Sequence, residues 1–170
     1  MKRIGFGQVE PNHLSAQRTG QIYAQLPADE SIKILENGQF AKYNYADNKV
    51  DFAGEGEWML VFNEVKLYEA RESYKDFALK TANAVGGVMV PRLLKTNIGD
   101  IFTTNCVKVA NTDKNTEVDD KVKYAEGDVL SPNANGYLEK DVADATMKWQ
   151  VVKVYTLADG QAAVKVMRIA

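Results

Sequence analysis

The chain reads as a mainly β protein: a small β-barrel or sandwich with one short helix and an extended N-terminal arm. Three observations predict this. Turn dipeptides punctuate the sequence at Asn37-Gly38, Gly99-Asp100, Gly127-Asp128, Asn135-Gly136 and Asp159-Gly160. The segments between them are short and rich in β-branched and aromatic residues, the composition of strands. Only one stretch carries a helical period. The pattern divides the chain into an arm (1–27), a β-rich subdomain with the helix (28–96) and a C-terminal β-barrel domain (97–170).

The arm, MKRIGFGQVEPNHLSAQRTGQIYAQLP, spreads its apolar residues thinly. Ile4, Phe6, Val9, Leu14, Ile22, Tyr23 and Leu26 hold neither a 3.6-residue nor a 2-residue period for long. A solvated tail rarely carries this many large apolar groups. The reading is an extended arm whose side chains dock on a neighbouring surface.

Next, SIKILENGQFAKYNY sets Asn37-Gly38 between alternating segments, the signal of a type I′ hairpin. In EGEWMLVFNEVKLYE (55–69) the unbroken apolar run from Trp58 to Phe62 predicts a strand covered on both faces. Residues 69–84 are the helix candidate. Tyr74, Phe77, Ala78 and Thr81 fall at i, i+3, i+4 and i+7, and Gly86-Gly87 ends the run. VMVPRLL is a short extended piece, with Pro91 pointing to an edge or a bulge.

From Asn97 onward the chain is a series of strands. IFTTNCVKVA follows Gly99-Asp100, VLSP follows Gly127-Asp128, and YLEK follows Asn135-Gly136. The polar stretch 111–121 reads as an exposed loop. WQVVKVY and QAAVKVMRI form a closing hairpin about Asp159-Gly160. Strict alternation puts Val152, Val154, Val164 and Val166 on its core face. Trp149, Val151, Lys153, Tyr155, Lys165, Met167 and Ile169 then form an amphipathic opposite face. Either another element of the same chain or a second subunit covers that face. The candidate partner interface is therefore Ile4, Phe6, Val9, Leu14, Ile22, Tyr23 and Leu26, with Trp149, Tyr155 and Met167.

Composition narrows the function classes. The 21 basic and 23 acidic residues give a net charge of −2, which lacks the clustered basic face of a nucleic-acid binder or of a protein drawn to anionic membranes. No apolar run is long enough to span a bilayer, and MKRIGFGQVEPNHL has no signal-peptide core, so a cytoplasmic site of synthesis and folding is expected. A lone Cys106 forms no internal disulfide.

Residues with catalytic or ligand potential are sparse. His13 sits in the irregular arm without a positioned partner and reads as a surface or docking residue. Cys106 falls mid-strand and reads as a buried thiol. Two Cys/His residues cannot build a zinc site. Asp113, Glu117, Asp119 and Asp120 share one loop, but their spacing is not that of an EF-hand. Glu55 and Glu57 flank Trp58, an arrangement open to a sugar cleft or to simple turn residues. Gly5-Phe6-Gly7 lacks the strand and the Gly-Lys-Ser/Thr of a phosphate loop. Tyr43, Tyr45 and Phe52 could stack on bases, but the basic residues that should accompany them are few. No cofactor and no enzymatic activity are expected.

The strings GDIFTTN, GDVLSPNANGYLEK and WQVVKVYTLADGQAAVKVMRI resemble small structural proteins of tailed bacteriophages, most of all capsid-associated head decoration or auxiliary proteins. The resemblance covers roughly residues 97–170 and rests on turn and strand patterns. It implies a compact β-barrel and a non-enzymatic virion component that binds the outer surface of a capsid and reinforces subunit junctions. Its implied partners are the major capsid protein and sister copies on a lattice, with no nucleic acid and no membrane. Its implied location is the virion. Alternatives are another virion part, such as a connector, tail or head-fibre base protein, or a carbohydrate- or peptide-binding β-domain. The chain is longer than the smallest decoration proteins, which leaves room for an extra subdomain.

Overall fold

The computed structural model describes residues 5–18, 25–63, 78–108, 124–158 and 160–170. Twelve strands lie within them. They are β1 (Val9–His13), β2 (Ile34–Leu35), β3 (Phe40–Asn44), β4 (Lys49–Asp51), β5 (Met59–Val61), β6 (Leu79–Lys80), β7 (Leu93–Leu94), β8 (Ile101–Thr104), β9 (Val129–Pro132), β10 (Leu138–Lys140), β11 (Trp149–Thr156) and β12 (Ala162–Arg168). One helical turn, α1 (Ser15–Arg18), follows β1. A six-stranded sheet runs β1-β8-β12-β11-β9-β10, a four-stranded sheet runs β4-β3-β5-β7, and β2 pairs with β6. All these ladders are antiparallel.

Side-chain alternation makes the four-stranded sheet a middle layer. Phe40, Leu60 and Leu94 point to one side and pack with Phe102, Leu130, Trp149, Val151, Val164 and Val166 of the six-stranded sheet. Ala41, Tyr43, Val50, Met59, Val61 and Leu93 point to the other side, toward Ala28, Ile32, Leu35 and Met89. Met59, Leu60 and Val61 are thus all buried, as the unbroken apolar run predicts. The main core centres on three rings. Phe102 meets Trp149 edge-on at 4.9 Å between centroids, and Phe40 lies 5.6 Å from Trp149 and 6.3 Å from Phe102.

Several expectations need correction. Of the expected barrel or sandwich the chain forms the sandwich, so the closed barrel expected for 97–170 drops out. A parallel bridge joins Val107 to Leu138, but β8 itself is bonded to β1 and β12, and among the described residues no ladder seals the cylinder. Residues 28–96 line a core of their own, and Phe40, Leu60 and Leu94 among them also complete the core of the later strands. The surface on which the arm docks belongs to its own chain. Residues 9–13 form the edge strand β1, paired to β8.

Asn37-Gly38 makes a tight turn but not a hairpin. Among these two, only Gly38 has positive φ, at 94°, and Gln39 N–H donates to Glu36 C=O at 3.2 Å, the pattern of a type II turn. The strands on either side diverge: β2 goes to β6, and β3 goes to β4 and β5. Of the predicted helix, 69–77 lie outside the described residues. The rest forms β6 and a 3-10 turn, Thr81–Asn83, and a second such turn, Val85–Gly87, follows it. Lys80 is extended, and no side chain caps either turn. The loop read at 111–121 also lies outside the described residues.

The closing hairpin carries a bulge between Val151 and Lys153. That extra residue reverses the side-chain parity of β11. Trp149 and Val151 belong to the core, along with Val164 and Val166 of β12. Val152 and Val154 are exposed, contrary to the strict alternation. Val154 does oppose Val164, but β11 pairs with β9 only at Trp149 and Gln150 and so loses its cover farther along.

Candidate interaction surface

The residues expected to await a partner divide into three groups. Phe6, Leu14 and Trp149 are buried by the chain itself, at 6%, 2% and 0% exposure, and offer nothing to a second molecule. Val9 is half-buried against the main core and Leu26 against the second. Tyr155 and Met167 are half-buried on the hairpin, Tyr155 with the Lys165 ammonium 5.4 Å from its ring. Ile4, Ile22 and Tyr23 lie outside the described residues.

The arm is fastened by polar groups as well as by β1 backbone pairing. Gly7 N–H donates to the buried Glu36 carboxylate at 3.1 Å, and Gln8 N–H donates to Asn105 Oδ1 at 2.7 Å. Thr104 Oγ1 donates to Gln8 C=O at 2.6 Å, and Thr103 Oγ1 donates to Asn12 Oδ1 at 2.8 Å. The buried Asp100 carboxylate accepts both the N–H and the hydroxyl of Ser15, at 3.0 and 2.9 Å, where α1 begins. Of the arm's apolar side chains, Phe6 and Leu14 are buried just outside the two ends of β1, and Val9 within it is half-buried.

The candidate catalytic and ligand residues do not converge. His13 is exposed at the end of β1. Cys106 is fully buried, with its sulfur 3.9 Å from Glu36 Oε2. Glu57 pairs with Lys95 at 3.1 Å, while Glu55 is exposed on the loop before β5. Trp58 packs against the main core under the Lys42 ammonium, which leaves it no open sugar platform. Tyr43 is buried, Phe52 packs on the second core, and Tyr45 is exposed, so the three share no stacking face. Asp113, Glu117, Asp119 and Asp120 lie outside the described residues. Among the described residues no group of three His, Cys, Asp or Glu is placed to hold a metal ion. No helix among them is long and apolar enough to cross a membrane.

One titratable cluster braces the β9–β10 end. Burial, reinforced by Glu139 and Asp128, pushes the Tyr124 phenol well above its ordinary range, and its hydroxyl donates to Lys108 C=O. The Lys140 ammonium, 2.5 Å away, and the Ala125 N–H hold Asp128 below the usual carboxylate range. These groups tie two loops to the sheet.

What the surface does present is exposed apolar side chains on projecting features. Val85 is 97% exposed on the turn made by Gly86-Gly87, followed by Val88 and Val90. Ile98 is exposed on the turn before β8, and Ile169 at the end of β12. Val152 and Val154 line the outer edge of β11. Sequence reasoning missed this last strip, although its signal was present. The doubled valine Val151-Val152 joins two alternations of opposite phase, the mark of a bulge. Comparison of the chain with protein-family models, with curated proteins and with solved structures finds no match.

Proposed function

We propose that this chain is a structural virion protein, a decoration or cement protein that binds the outer surface of a phage capsid and reinforces subunit junctions. Two supports stand behind this reading. The first is the resemblance of residues 99–105, 127–140 and 149–169 to capsid-associated phage proteins. The second, which carries it on geometry, is the set of exposed apolar side chains on turns and edges, led by Val85. Such residues on a well-packed domain suit shallow contacts repeated many times over a shell. Many weak contacts on one lattice sum to firm retention. The major capsid protein and sister copies are the partners this role requires.

Co-sedimentation tests it. The purified chain is mixed with empty capsid shells of the phage that encodes it and the shells are pelleted. Saturable recovery in the pellet at a fixed ratio to capsid subunits is expected, and Val85→Lys weakens it. A chain that stays in the supernatant at every ratio overturns the proposal.

A further inference from the structure

Past its bulge, β11 runs to Thr156 with β12 on one side and no strand on the other among the described residues. Leu157 N–H donates to Gln161 C=O at 2.8 Å, so the Leu157 backbone faces the β12 side. Antiparallel alternation then directs Lys153 and Tyr155 the same way and turns the N–H and C=O groups of Val154 and Thr156 outward. The chain blocks its other long-sheet edges. β1 carries Pro11, and at β10 the Lys108 N–H donates to Leu138 C=O at 2.8 Å. The β11 edge carries a bulge and Lys153 but, among the described residues, no proline and no bonded neighbour past Val151, and Val152 and Val154 on it are 37% and 45% exposed.

An extended strand added to such an edge satisfies its outward N–H and C=O groups in place of water. The residues along it specify which strand. Read antiparallel against itself about Val154, the segment sets valine against valine, Lys153 against Tyr155, and Val152 against Thr156. Each cross-strand pair is favourable, and the Tyr155 ring already receives one ammonium, that of Lys165. Centring the pairing on Lys153 instead would oppose two lysines. We propose that the outer edge of β11 pairs about a two-fold axis with the same edge of a second copy, joining two six-stranded sheets into one. The inference deepens the sister-copy contact of the proposed function and rests on that reading for its setting on a shell.

The test uses the free full-length chain, so its outcome is separate from capsid binding. Sedimentation velocity across a wide concentration range reads the monomer–dimer balance, and hydrogen exchange reads the Val154 and Thr156 amides. A concentration-dependent dimer is expected, with both amides slowed at high concentration and fast on dilution. Val154→Pro removes an outward N–H and leaves the bonds to β12, while Val154→Lys brings two charges together at the axis. Each should weaken the dimer by about tenfold or more, whereas Val88→Lys, on a different surface, should not. If the proline variant loses its near-ultraviolet circular dichroism, the lysine variant decides. A chain that stays monomeric throughout, or a dimer that survives Val154→Lys unchanged, overturns the proposal. Failure to pellet with shells alongside an intact dimer would sink the capsid reading alone.

Discussion

Asn37 and Asn63 hold each other by a reciprocal pair of hydrogen bonds. Asn63 N–H donates to Asn37 Oδ1 at 2.8 Å, and Asn37 Nδ2 donates to Asn63 C=O at 3.1 Å. The Asn37 carboxamide thus presents one acceptor and one donor, as a strand residue would, just beyond the end of β5. Asn63 Oδ1 in turn accepts the Arg92 N–H at 2.9 Å, which ties in the approach to β7. Both side chains are buried. Asn37→Ala leaves a buried N–H and a buried C=O without partners, a loss of about 2–4 kcal/mol. Asn37→Asp keeps the acceptor but loses the donor, and it buries a charge as well. Urea unfolding should rank Asp below Ala at neutral pH, with the gap closing in acid.

The arm belongs to the fold, so its removal should be costly. Leu14→Ala should lower stability by about 2–5 kcal/mol through the cavity it leaves under α1. Deleting residues 1–14 removes Phe6, Leu14 and the whole β1–β8 ladder. The truncated chain should be unfolded or barely folded by circular dichroism. A truncated chain with wild-type thermal stability would remove β1 from the sheet.

Trp149 and Trp58 should separate in fluorescence. Trp149 is fully buried between Phe40 and Phe102, while Trp58 is half-buried. Trp149→Phe should remove the component that acrylamide cannot reach. Trp149 Nε1 finds no acceptor among the described residues, so this change forfeits packing alone. Trp149→Ala should cost about 3–5 kcal/mol.

The β9–β10 turn docks on the start of β3, where Phe40 N–H donates to Gly136 C=O at 2.8 Å. Gly136 has φ of 77°, and a Cβ there would stand 2.0 Å from Phe40 C=O. Gly136→Ala therefore combines left-handed strain with a backbone collision. It should cost clearly more than the ~1 kcal/mol of the strain alone. Thermal melts of Gly136→Ala beside Gly160→Ala, whose surroundings are open, would show the difference.

Acid should loosen the molecule in two places. The Ser31 N–H and hydroxyl, and then Lys49, hold Asp29 down at about 2 from its ordinary 3.8. Asp128 is shifted the same way. A carboxyl whose folded pKa is depressed stabilises the fold above its unfolded pKa, and that contribution fades as pH falls through the folded one. Stability should therefore drop as pH falls from about 4 toward 2, and Asp29→Asn should flatten the slope. Tyr124 has the opposite sign. Its raised pKa stabilises the fold below the ordinary phenol range and the benefit fades as pH rises past it, so Tyr124→Phe should flatten the alkaline limb. Thermal midpoints across both ranges check these outcomes.

The parts legible in the sequence were those set by local backbone chemistry. Gly99, Gly127, Gly136 and Gly160 all adopt positive φ at the turns their dipeptides mark, and strands follow where expected. The double burial of Met59 to Val61 was legible because five consecutive apolar residues leave no polar face. The closing hairpin of β11 and β12 was legible, but pairing partners far apart in the chain were not. Nothing near Asn37-Gly38 says that Asn37 will seek Asn63, or that β2 will turn away to β6, because both contacts join residues far apart in the chain. The surface that receives the arm was not legible for the same reason: residues 9–13 pair with β8, about 90 positions along the chain, and Leu26 packs on the second core. The face of β11 was misread because one added residue reverses the parity of all that follow. The candidate interaction surface was the least legible part, since Val152 and Val154 are exposed where β11 runs on past β9 and the others lie on turns.

Because the middle sheet is dry on both sides, neighbouring residues of one short strand serve different interiors: Leu60 the larger, Met59 and Val61 the smaller. Neither interior can open without pulling apart the strand that lines the other. The molecule should therefore melt as a single cooperative unit, with amides on β3 and β5 exchanging only through global unfolding. A lesion in the smaller interior, such as Leu93→Ala, should lower the one shared transition instead of splitting off an earlier one.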